Sequence, residues 1–135
     1  MASLRTAREL FAKASELAER GEWLEVAGLE VEAFKLAKES TAKGSAMFAY
    51  RMWNAALGAA SAAQATAKDA GSRSKAAGML EWLKLTDQTC REPVARLHAL
   101  RLDRNVHRDG PIVWAAQNHE AARELERLEA IHGEG

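Results

Sequence analysis

Residues 45 to 70 read SAMFAYRMWNAALGAASAAQATAKDA and are closed by Gly71. The stretch holds no proline and almost no strand formers, and its commonest residue, alanine, is the strongest helix former. Wound as a helix, it places Arg51, Asn54, Ser61, Gln64 and Lys68 on one narrow side, with Gly58 and Ala65 between them. Everything else around the circumference is apolar or small, the pattern of a helix covered by neighbours on several sides. Its Ala- and Gly-rich half admits close approach, while Phe48, Met52, Trp53 and Leu57 fill volume. The stretch is long enough to cross a bilayer, but Arg51, Asn54 and Gln64 oppose insertion and alanine contributes little to it. The expectation is a central core helix over about 45–70 and no membrane span.

Before this stretch the spacing predicts two helices. Leu4, Ala7, Leu10, Phe11, Ala14, Leu17 and Ala18 recur at three- and four-residue steps. Thr6 with Glu9 has capping-box spacing, Ser3 is an alternative cap, and Gly21 fits a left-handed C-terminal residue. A second helix is expected from about Glu22 to Glu39, with Trp23, Val26, Ala27, Val31, Ala33, Phe34 and Ala37 inward. Its outer face is acidic, with Glu22, Glu25, Glu30, Glu32 and Glu39 against Lys35 and Lys38. Gly28 in its middle suggests a close helix approach there. Gly44 belongs to the turn into the central helix.

Beyond Gly71, Ser72 can cap a fourth helix carrying Ala76, Met79, Leu80, Trp82, Leu83 and Cys90. Pro93 kinks or breaks the helical pattern, with a break near Thr89 to Glu92 favoured. A short fifth helix is expected over Pro93 to Asn105, and Asp109-Gly110-Pro111 is a turn. The last helix runs from near Pro111 to Gly133, with Trp114, Asn118, Ala121, Leu125, Leu128 and His132 as its seam. Five or six helices in an antiparallel bundle, or in stacked hairpins, make one all-α domain over residues 1–135.

Composition agrees with that class. The 135 residues include two prolines and one cysteine and carry a formal net charge of zero. Zero charge argues against binding nucleic acid or an anionic membrane as a whole-chain property. Cys90 has no internal partner for a disulfide and no basic-then-apolar leader opens the chain, so a reducing cytoplasm is the expected home.

The four tryptophans, Trp23, Trp53, Trp82 and Trp114, fall about thirty residues apart, close to the period of helical-hairpin repeats. One large aromatic per helix gives the same spacing. Over residues 4–39, Leu10, Ala14, Leu17, Gly21, Trp23 and Ala33 stand at the spacings of a tetratricopeptide hairpin, which this segment resembles. It is similar also to the start of a microtubule-interacting-and-transport domain. Both resemblances imply a unit that binds a helix or an extended peptide in a groove.

Site chemistry is sparse. His98, His107, His119, His132 and Cys90 are the candidate soft metal ligands, and Glu129 with His132 has the Glu-x-x-His spacing of di-iron bundles. No second such pair exists, and a histidine in a helix's last turn is favoured by the dipole alone. Cys90 lies on the apolar register of its helix, as a buried, inert thiol would. The glycines are isolated, so no phosphate-cradling loop forms. The reading therefore expects no catalytic residues, no metal and no cofactor.

The strongest local signal is electrostatic. Arg91, Arg96, Arg101, Arg104 and Arg108, with His98 and His107, face only Glu92 and Asp103 within the segment 91–108. Guanidinium forks suit phosphates, but they suit equally the acidic faces of the second and last helices, on the same molecule or on a second copy. The expected function is a non-enzymatic helical interaction module (an adaptor, assembly subunit or regulator) that binds another protein or itself through these arginines. A small nucleic-acid-associated subunit using the same segment is the alternative, and a helical-bundle enzyme or metal protein comes third.

Overall fold

The computed structural model of the chain describes residues 2–87 and 110–132. Among them are five helices: α1 (Ala2–Glu19), α2 (Trp23–Glu39), α3 (Ser45–Thr66), α4 (Ala70–Asp87) and α5 (Pro111–His132). They pack as an all-α bundle. The expected break near Pro93 and the short helix over 93–105 lie outside the described residues.

α3 is the hub. It packs against α2, α4 and α5, while α1 lies on α2 and touches α5. Fourteen of the 22 residues of α3 are buried, which a helix with one exposed face could not reach. Phe48 and Met52 are fully enclosed, each contributing about 1.5–3 kcal/mol by burial. No helix among the described residues is long and apolar enough to cross a membrane.

The helix ends follow from local chemistry. Gly21 takes a left-handed φ of +72°. The Glu22 N–H donates to the Leu17 carbonyl at 3.2 Å and the Gly21 N–H to the Ala18 carbonyl at 3.0 Å. That is a Schellman closure, and it turns the chain into α2 as expected. α3 stops at Thr66, four residues before the expected end, because the next cap is Asp69 and not Ser72. The Asp69 carboxylate accepts from the Ser72 N–H at 2.7 Å and from its hydroxyl at 3.1 Å. These bonds hold its pKa below the ordinary carboxylate range. The Thr6–Glu9 pair, read as a capping box, lies inside α1, which starts at Ala2.

Two glycine readings separate. At Gly28 nothing lies within 4 Å of an added Cβ, so the close approach expected there does not occur. It occurs at Gly58, where an added Cβ would meet the Ala115 Cα of α5 at 3.1 Å. Trp53 ties α3 to α4 by donating its indole N–H to the Leu83 carbonyl at 2.9 Å.

Candidate functional site

α5 meets the bundle through polar side chains. Its inward face is Trp114, Ala115, Asn118, His119, Ala122 and Glu126, which keeps Trp114 and Asn118 of the expected seam and turns Ala121, Leu125 and Leu128 outward. Ala121 is exposed, and Leu125 and Leu128 are 44% and 39% exposed. Small Ala115 and Ala122 let α5 settle against α3 around Gly58. Asn118 then donates to the Asn54 carbonyl at 2.7 Å.

Two ionic contacts, one partly buried and one fully buried, fix the docking. Arg51 of α3 is 8% exposed and donates through Nη1 to Glu126 Oε2 at 2.9 Å. The other Glu126 oxygen lies 3.4 Å from Arg8 Nε of α1. One carboxylate thus joins three helices. The second contact pairs His119 Nε2 with Glu30 Oε2 of α2 at 3.3 Å, in poor alignment for a full hydrogen bond. Glu30, expected on the acidic outer face, is fully buried. Burial pushes its carboxyl above the ordinary range, against the opposite pull of His119. Phe11 covers the imidazole, with ring centroids 5.2 Å apart.

A Glu–His pair is the usual equipment of acid–base chemistry, but this one is closed off from any substrate. Among the described residues no group of three or more His, Cys, Asp or Glu side chains could hold a metal ion. α1 carries an open depression of about 600 Å³ lined by Leu4, Arg5, Arg8, Glu9 and Ala12, a set without a nucleophile.

The arginines singled out from the sequence, Arg91, Arg96, Arg101, Arg104 and Arg108, lie outside the described residues, as do Cys90, His98 and His107. The side chains of Glu129 and His132 do too. The acidic face suggested as their complement is present on α2, where Glu22, Glu25, Glu32 and Glu39 are exposed. Sequence reasoning missed Glu30 and Glu126, although each carried a signal. Glu30 falls four residues after Val26 and three after Ala27, in the inward register of α2, and Glu126 falls four after Ala122.

No family model matches this chain, nor does any curated protein or solved structure.

Proposed function

We propose that the chain is a non-enzymatic helical interaction module, an adaptor, assembly subunit or regulator that associates through the outer side of α5. One observation carries the reading. α5 buries His119 and turns a partly exposed Glu126 toward Arg51 and Arg8, while leaving Ile112, Val113, Leu125 and Leu128 between 39% and 48% exposed. A helix that sends charge inward and leaves large apolar side chains in water is poorly matched to life alone, and such surfaces mark contact sites. The resemblance of residues 4–39 to tetratricopeptide hairpins, which bind helices, supports the same reading. So does the exposed acidic face of α2, whose charge would steer a basic surface.

Self-association is the simplest form, because a second copy brings both an apolar α5 and an acidic α2. Sedimentation velocity over a range of concentrations tests it. The expected result is a mass that rises with concentration in the wild type and falls to the monomer when Leu125→Ser and Leu128→Ser are combined. A monomer at every concentration would remove self-association through α5.

A further inference from the structure

Glu30 and His119 are each buried, one on α2 and one on α5, and their closest atoms are 3.3 Å apart. Neither Glu30 oxygen has a hydrogen-bond partner in line. Among the described residues no other charged side chain contacts the pair. From α1 it meets the Phe11 ring, and Phe48 of α3 stands behind that ring, edge-on, with centroids 6.2 Å apart. The neighbouring cations, Arg8 of α1 and Arg51 of α3, both contact Glu126, two helical turns further along α5.

Charge counting then distinguishes two states of the pair. With one proton between them, either a neutral acid beside a neutral imidazole or a carboxylate beside an imidazolium, the site is neutral overall. With that proton removed, a carboxylate is left in the core beside a neutral ring, and an uncompensated buried charge is strongly unfavourable.

We propose that Glu30 and His119 form a proton-operated latch on α5, which stays docked while the pair holds a proton and undocks when that proton is lost. Because the pair joins two helices that have no other ionic contact among the described residues, it acts on the position of α5 and leaves the α1–α2 hairpin in place. Undocking would bare the small-residue face of α3 around Gly58 and move the exposed apolar side chains of α5. Protonation would thereby regulate the contact surface proposed above. The sign agrees with the raised carboxyl of Glu30: docked protein keeps a proton that the undocked pair gives up once pH passes the ordinary imidazole range, so docking weakens as pH rises above that range.

Hydrogen exchange of the full chain, resolved by peptide and corrected for intrinsic rates, tests the latch from about pH 5 to about pH 9. The protein is held dilute, so that association plays no part. The expected result is an opening of α5 that increases with pH by up to about tenfold per unit, as one linked proton requires, while α2 and α3 stay protected. Glu30→Gln, which keeps the shape and cannot ionise, should abolish that rise. Flat exchange in α5, a parallel rise in every helix, or an unchanged rise in E30Q would each overturn the proposal. The wild-type comparison of α5 with α2 and α3 decides the matter even if the variant fails to fold. A pH-dependent α5 in a chain that never associates would keep the latch and remove only the interaction reading.

Discussion

A methyl group added at Gly58 would sit 3.1 Å from the Ala115 Cα and 3.6 Å from Asn118 Nδ2. The first of these is backbone, held in place by the Asn118 bond to the Asn54 carbonyl, so α5 would have to retreat. Alanine in a helix gains about 1 kcal/mol over glycine, but forcing two packed helices apart costs about 1–3 kcal/mol. Gly58→Ala is therefore expected to lower stability by about 1 kcal/mol in urea denaturation. Gly28→Ala and Gly78→Ala meet nothing within 4 Å and carry no left-handed φ, and each should raise stability by about 0.5–1 kcal/mol. Two tryptophans divide in the same way. The Trp53 indole N–H reaches the Leu83 carbonyl, whereas the buried Trp114 N–H meets no acceptor among the described residues. Trp53→Phe should cost about 1 kcal/mol more than Trp114→Phe, read from the two midpoints at equal slope.

At the scale of the element, α5 shows where hydropathy alone misleads. Its most apolar stripe, Trp114 to Leu128, winds only partly into the bundle. The inward register is set by what the other helices need: a thin side chain opposite Gly58, an anion for buried Arg51, and a partner for buried Glu30. Those needs are invisible until α3 and α2 are packed, because each is created by a residue far along the chain. Gly21, Gly44 and the girth of α3 were legible because local backbone chemistry or composition decides them. Glu30 was half legible, since its position in the heptad of α2 pointed inward while its charge pointed outward. Removing Glu126 tests the ionic part of this docking. Glu126→Ala takes the carboxylate from Arg51 and Arg8 and should cost about 2–3 kcal/mol in chemical denaturation. Arg127→Ala, which breaks an exposed pair with Glu124, should leave the midpoint unchanged. Replacing Glu30 and His119 together, by Leu and Phe, should cost less than either single change, because no charge or ring nitrogen is then left stranded.

For the whole molecule, the account rests on one helix: α5 turns His119 and Glu126 toward the bundle and leaves Ile112, Val113, Leu125 and Leu128 exposed beside its outward charges. The bundle core, built on α3, accounts for the folding of the chain without that outer surface, so the exposed Leu125 and Leu128 are free to be spent on contact with another chain. The acidic side of α2 adds a salt-sensitive component to any such contact, and association should weaken as ionic strength rises. The most direct test places a photoreactive side chain at Leu125 and, as a control, at exposed Glu32 of α2. Irradiation of the folded protein at the concentrations used for sedimentation should yield a crosslinked product of doubled mass from position 125 at much higher yield than from position 32. Equal yields at the two positions, or none from position 125, would contradict the claim that α5 is the contact surface.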